Sequence, residues 1–415
     1  MTASSSIKNL IYSPRALNVV FAVAFIGLYY SRALTSIFDV SIFALGLFAM
    51  IWRADWKKRL WNRHTIPFIL IFVIYVLSML MSTDKSEGLH RLKTNNYYVL
   101  IPLGISMLQP FSKKLIQEII ATFVFISTCS ALIVLLDYAF NFSQYSEAYK
   151  VGKTIETPIL HIRYAYFMCL ATLMGFALML EGKLLQPIVK KLIAICTIIL
   201  FIFIHILAVR TGIVSCYIGL FVFLIVRSKD FIRPLYSIAT GLALVVVLVL
   251  AVKYVPSLKN KWQYTRYDIA RYFNDDQTYL LSDNLRFISI KNGLILFDEN
   301  PLFGTGIGDL DKECQRLYAK SHPDVPIELQ SPPVTQYFYT LTAFGLIGAI
   351  AFFGLLLYPF RYAEHRRDIK LLLIYGATFG SFIGDYSIEL QLGKVAFVTL
   401  ASLALWYATP LEKIK

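Results

Sequence analysis

The run LALVVVLVLAV at residues 242–252 contains no group that ionises, and LIAICTIILFIFIHIL at residues 192–207 contains only Cys196 and His205. About 20 apolar residues carry a helix across roughly 30 Å of hydrocarbon. The backbone must satisfy its own polar groups there, so such runs read as helices rather than barrel strands. The whole chain of 415 residues has the same character, at 57% hydrophobic and 16% charged, against roughly 25% charged in soluble proteins. The fold class is therefore an all-α polytopic membrane protein with about twelve transmembrane helices. They are expected at residues 16–31, 35–52, 65–82, 95–110, 115–140, 160–180, 192–209, 212–227, 235–254, 334–360, 371–389 and 393–409.

The net charge of +14 falls in short clusters between spans, which argues for membrane topology and against nucleic acid. With the amino terminus on the cytoplasmic side, Arg53 to Arg63, Lys113/Lys114, Lys183/Lys190/Lys191, Arg227/Lys229/Arg233 and Arg361 to Lys370 all fall inside, as the positive-inside rule requires. Both termini are then cytoplasmic. The one long polar stretch, residues 255–333, is external. Three parts follow, an amino-terminal bundle (1–254), the external loop (255–333) and the last spans (334–415), treated as one membrane domain. The polar start is followed by no small-residue cleavage site, so the first span reads as an uncleaved anchor. Cys129, Cys169, Cys196 and Cys216 lie in apolar runs and Cys314 in the loop. That is neither a disulfide framework nor a metal-ligand spacing, and no metal or cofactor is expected.

Function is sought in the external loop. Residues 262–273 (WQYTRYDIARYF) interleave aromatics with Arg266 and Arg271, the pattern of an interfacial helix with arginines toward phosphates or of a plain anchor. Ser282 and Asp283 supply a helix cap, and Arg286, Ser289, Ile290 and Gly293 share a face of the helix that follows. In DENPLFGTGIGD, residues 298–309, Gly304, Gly306 and Gly308 permit a nest of amides around an anion, or a tight turn that orders the loop. Arg210 closes the seventh span. Intramembrane charges are functional candidates by default, with snorkelling to the interface as the alternative. His205 reads as a hydrogen-bonded core residue. Arg91 and Lys93 after the third span, and His161 with Arg163 at the head of the sixth, are further isolated candidates.

The order of these features resembles the O-antigen ligase and polymerase superfamily. The shared features are VRTG at a span end, the loop segment NLRFISIKNGLILFDENPLFGTGIGD, and a span opening TQYFYTLTAFGLIGAIAFF. The resemblance is strongest over residues 207–353, roughly a third of the chain, and implies a metal-independent type C glycosyltransferase of the bacterial inner membrane, with its large loop periplasmic. Such enzymes take a glycan from an undecaprenyl-diphosphate carrier and pass it to a sugar hydroxyl on lipid A-core or on another glycan, inverting the anomeric centre. Arg210 and Arg286 match the family arginines implied to hold the diphosphate. Fixed guanidinium donors stabilise a leaving diphosphate as the bond breaks. Gln336 and Tyr337, at the head of the span after the loop, join Arg266, Arg271 and the three glycines as substrate-binding candidates.

One departure stands out. The family histidine before that span reads Val334, which neither accepts a proton nor donates a hydrogen bond. Three readings stay open: a base recruited from the loop (His322, Asp324 or Glu328), a reaction driven by leaving-group stabilisation alone, or a binding protein that has lost its chemistry. Among the loop candidates His322 is taken as the catalytic one, with a merely solvated histidine as its alternative. A transporter would show charged residues lining several span interiors, repeated halves and broken helices; the sequence shows mainly one polar loop and no repeat.

Overall fold

A computed structural model describes residues 13–51, 55–145, 154–227 and 282–410, together with Lys253, Lys259, Trp262, Gln263 and Arg266. Among the described residues there are helices and connections and no strand. α1 (Pro14–Tyr30) and α2 (Arg32–Met50) meet at Ser31, whose extended backbone ends one helix and whose hydroxyl caps the next at Leu34 N. They are followed by α3 (Ile66–Met81), α4 (Lys85–Lys93), α5 (Tyr97–Leu108) and α6 (Lys113–Phe140). Next come α7 (His161–Glu181), α8 (Pro187–Leu207) and α9 (Arg210–Arg227). The loop contributes α10 (Ser282–Glu299) and α11 (Leu310–Ser321). The chain closes with α12 (Gln336–Leu357), α13 (Ile369–Ser381) and α14 (Gln391–Ala408).

Among the described residues, seven helices are long and apolar enough to cross a membrane, and α1, α3 and α13 are shorter apolar helices. The chain is a polytopic membrane protein. Apart from Lys253, the expected span at 235–254 lies outside the described residues. Two expected spans are shorter than their apolar runs. The segment 95–110 narrows to the 12 residues of α5, with Pro102 inside, about 18 Å of helix against the 30 Å needed to cross. The segment 371–389 stops being helical at Ser381, and a connection with a short 3-10 turn at Ser387–Glu389 leads to α14. Asp385 and Glu389 therefore sit in a connection and not in a span.

α7 is the axis of the bundle. Its side chains from Tyr164 to Gly175 are buried on every face, the pattern of a helix with neighbours all round, and α6, α8, α9 and α13 supply those neighbours. α9 and α13 approach closely because Gly376 and Gly380 of α13 face Gly219 and Ser215 of α9, the small-residue contact common between membrane helices.

α12 is broken at Gly345, where φ is 66° and ψ −172°. The groups freed by the break find partners in the glycine turn of the loop. Leu346 N donates to Pro301 O (2.8 Å) and Ile347 N to Leu302 O (3.2 Å), while Thr305 N donates to Thr342 O (2.8 Å) and Gly306 N to Ala343 O (3.0 Å). Non-helical backbone inside a membrane bundle persists only when protein satisfies it in this way. Gly304 also has positive φ, and a Cβ there would lie 2.4 Å from Gly345 N. Gly304→Val is therefore expected to destabilise by more than the roughly 1–3 kcal/mol of backbone strain alone. Immunoblotting of membranes should show the variant depleted; normal abundance would contradict this docking.

The two ends of the bundle differ. At one end Thr83 N and Thr83 Oγ1 donate to Asp309 at 2.6 and 2.7 Å, tying α3 to the loop. At the other, Arg63 pairs with Glu364 (2.8 Å) and buried Lys370 with Glu181 (2.5 Å).

Candidate active site

α8 ends at Ala208, whose left-handed backbone (φ 54°) is uncommon for a residue with a Cβ. The chain turns there, and α9 restarts with Arg210 at the loop end of the bundle. Arg210 Nη2 donates to both carboxylate oxygens of Asp283, at 2.7 and 3.0 Å. Asp283 sits in the first turn of α10, where the helix dipole favours an acid. Among the described residues, Nε and Nη1 of Arg210 have no protein acceptor. Arg286 lies one turn further along α10, and burial and then the neighbouring Arg210 pull its guanidinium below its ordinary value. The two guanidinium groups are therefore neighbours, with Asp283 and Asp385 the carboxylates that oppose their repulsion.

The connection between α13 and α14 brings in a second acid. Asp385 is 3% exposed and accepts a hydrogen bond from Ser387 Oγ at 2.9 Å. Burial pushes its carboxyl above the ordinary carboxylate range, while Arg163, Ser387 and Arg286 act to hold it ionised. Arg163, in the first turn of α7, has a buried Nε with no hydrogen-bond partner. Arg163 also lines a cavity of about 260 Å³ beside this cluster, with Arg32, Glu87, His90, Arg91 and Glu389. Arg91 is the most constrained of these, donating to Glu87 (3.0 Å), to Tyr339 Oη (3.3 Å) and to Asp311. Glu389 accepts from Tyr75 Oη (2.7 and 2.8 Å) and from Gln336 Nε2 (2.6 Å).

Of the residues expected from sequence, Arg210 and Arg286 come together, and Gln336 reaches the floor of the cluster through Glu389. Tyr337 turns away: its hydroxyl donates to Phe379 O (3.0 Å) and its ring packs on Phe353 and Phe382. The three loop glycines form a docking turn in place of an anion nest, because their amides are occupied. Gly304 N donates to Asn300 O (2.9 Å), Gly306 N to Ala343 O (3.0 Å) and Gly308 N to Ser82 Oγ (2.9 Å). His322 caps the end of α11 beside Ser321 Oγ (2.8 Å). Its imidazole is held below its ordinary value by partial burial and by Lys291, a different neighbourhood from the Asp283–Asp385 cluster. Arg266 is helical and exposed, whereas Arg271 lies outside the described residues. His205 is the core residue expected, bonded to Phe201 O (2.8 Å) and Tyr217 Oη (3.0 Å). Val334 N donates to Ser289 Oγ (3.3 Å), and Ser289 Oγ donates to Arg286 O (2.8 Å). Position 334 therefore lies directly beside the Arg286 turn.

Residues 195–353 match the family model described as O-Antigen ligase. The likeness to that family lies in this segment of the chain. No curated protein matches the chain. The O-antigen ligase segment contains Arg210, Asp283, Arg286, the glycine turn and Val334. Arg163 and Asp385 fall on either side of it. Asp385 is the residue that sequence reasoning missed. Counting it inside an apolar span hid it, although two acids in one span, Asp385 and Glu389, are themselves a functional signal.

Proposed function

We propose that the chain is a metal-independent, inverting type C glycosyltransferase of the bacterial inner membrane, which transfers a glycan from undecaprenyl diphosphate to a sugar hydroxyl. The observation that carries this reading is that Arg210 and Arg286, from helices far apart in sequence, are electrostatic neighbours around Asp283, with Arg210 held by hydrogen bonds to its carboxylate and Arg286 one turn along the same helix as Asp283. A diphosphate is an anion that two neighbouring guanidinium groups can hold. Asp283 orients Arg210, and the guanidinium fork matches phosphate geometry. Arg286 is placed for the charge that grows on the leaving oxygen. The acceptor oxygen bonds to the anomeric carbon from the face opposite the diphosphate, as the bond from that carbon to the diphosphate oxygen breaks and its electron pair stays on the phosphate. The acceptor proton passes to Asp385, which stands in for the family histidine because it is the buried carboxylate facing both Arg163 and Arg286. His322 is not needed in this scheme, and Gln336 supports the site through Glu389 instead of binding substrate.

In this reading the spans form one membrane domain, divided as 1–254, 255–333 and 334–415, with both termini cytoplasmic and the loop periplasmic. Cysteines introduced in a cysteine-free background at Asp275 should react with an impermeant reagent from outside, and those at Arg367 only after permeabilisation. The reverse pattern would remove the site from the compartment of carrier-linked glycans. The acceptor is lipid A-core in a ligase and another carrier-linked glycan in a polymerase. Surface glycans of cells with and without the gene separate the two: loss of the ladder from lipid A-core with accumulation on the carrier marks a ligase, and collapse of the ladder to single units marks a polymerase. An unchanged ladder on both would contradict the reading.

A further inference from the structure

Two neighbouring cavities lie at the end of the bundle away from Arg210, outside the proposed transfer site. The first, about 390 Å³, runs along α9, where Ile218, Val222 and Val226 stand one turn apart on a single face, against Leu372 and Phe379 of α13. Eight residues of helix make this channel about 12 Å long. Its only charged lining residue is Arg366. The second cavity, about 690 Å³, is a charged basin holding Lys113, Lys183, Arg227 and Arg367 together with three acids. Channel and basin adjoin at two points of the chain, with Val226 in one and Arg227 in the other, and with Arg366 in one and Arg367 in the other.

The charges of the basin do not cancel. Glu181 is matched by Lys370 (2.5 Å), Glu364 by Arg63 (2.8 Å), and Asp368 accepts from Leu371 N (3.0 Å). Among the described residues, none of Lys113, Lys183, Arg227 and Arg367 has a carboxylate partner; Lys113 lies 5.0 Å from the Tyr407 ring. An apolar channel that opens beside unmatched cations is complementary to an amphiphile with an anionic head. A soluble anion would leave the channel unfilled. A neutral lipid would leave the cations unmatched.

We infer that channel and basin together bind one anionic glycerophospholipid, with an acyl chain along Ile218, Val222 and Val226 and its phosphate among Arg366, Arg367 and Arg227. Basic pockets between membrane helices recognise acidic headgroups by the same chemistry, each cation near the surface contributing roughly fivefold in affinity. The site stands whether or not the chain transfers glycan, because its residues take no part in that chemistry.

The test uses the full-length protein in detergent micelles supplemented with phosphatidylglycerol, with phosphatidylcholine, or with inorganic phosphate alone. Native mass spectrometry reads retained lipid and thermal unfolding reads stabilisation. Phosphatidylglycerol is expected to be retained and to raise the unfolding midpoint, phosphatidylcholine much less so, and phosphate alone not at all. The double substitution Arg366→Gln with Arg367→Gln should lower apparent affinity for phosphatidylglycerol by on the order of tenfold or more. Val222→Trp, which fills the channel, should weaken retention of both lipids without changing the lipid-free midpoint. If that midpoint falls, Leu357→Trp on the opposite wall takes its place. Equal effects of the two lipids, an undiminished preference in the double variant, or full stabilisation by phosphate alone would each overturn the assignment.

Discussion

Arg286→Ala is expected to lower glycan transfer by about 10²–10³-fold, the usual cost of removing one preorganised donor from developing transition-state charge. Arg210→Ala should lose a similar factor, and both proteins should remain at normal abundance in the membrane. Arg210 does not hold the bundle together: it is 42% exposed and its partner Asp283 belongs to the loop. Lysine at either position should restore little, because a point charge replaces a planar fork. Loss should appear in the turnover rate more than in donor affinity at position 286, where the group meets charge that exists only as the bond breaks. Chelating agents should leave wild-type transfer unchanged. Near-normal activity in both alanine variants would remove the proposed mechanism, whereas depletion of the proteins would reassign the arginines to folding.

Asp385→Asn is the second large expected effect. Loss of a general base typically costs about 10²–10⁴-fold, and asparagine keeps the size and polarity of the side chain, so folding should survive. Donor binding should be retained, since Arg210 and Arg286 are untouched. His322→Ala in the same assay should change transfer by less than about twofold, its imidazole lying beside Ser321 and Lys291 and away from Asp385. A large loss in His322→Ala with a small one in Asp385→Asn would exchange the two roles.

Much of this was legible in the sequence because the bilayer simplifies the reading: an apolar run long enough to cross has few choices but a helix. The pairing of Arg210 with Arg286 was legible too, through the motif order that the O-antigen ligase segment preserves. Other features depend on contacts between distant parts of the chain. The glycine turn is aimed at a broken helix, and nothing in DENPLFGTGIGD reveals that Gly345 will supply the break. Asp385 was hidden by its neighbours, because the apolar run of α13 continues past Ser381 in composition but not in backbone conformation. Arg163 was visible only as an isolated charge at a span head, since its counter-charge arrives from the far end of the chain. In sequence the unmatched cations of the opposite basin speak for topology alone, and their excess emerges only because Glu181, Glu364 and Asp368 are occupied in the fold.

The most direct test is transfer by the purified wild-type protein in lipid nanodiscs, with a carrier-linked glycan, a chelator and a panel of sugar acceptors, following release of polyprenyl diphosphate alongside Val334→His. The account predicts release coupled one-to-one to an inverted product for wild type, with no histidine at position 334 required. Tight donor binding with no turnover on any acceptor, and turnover gained only by Val334→His, would contradict it and identify a binding protein that has lost its base.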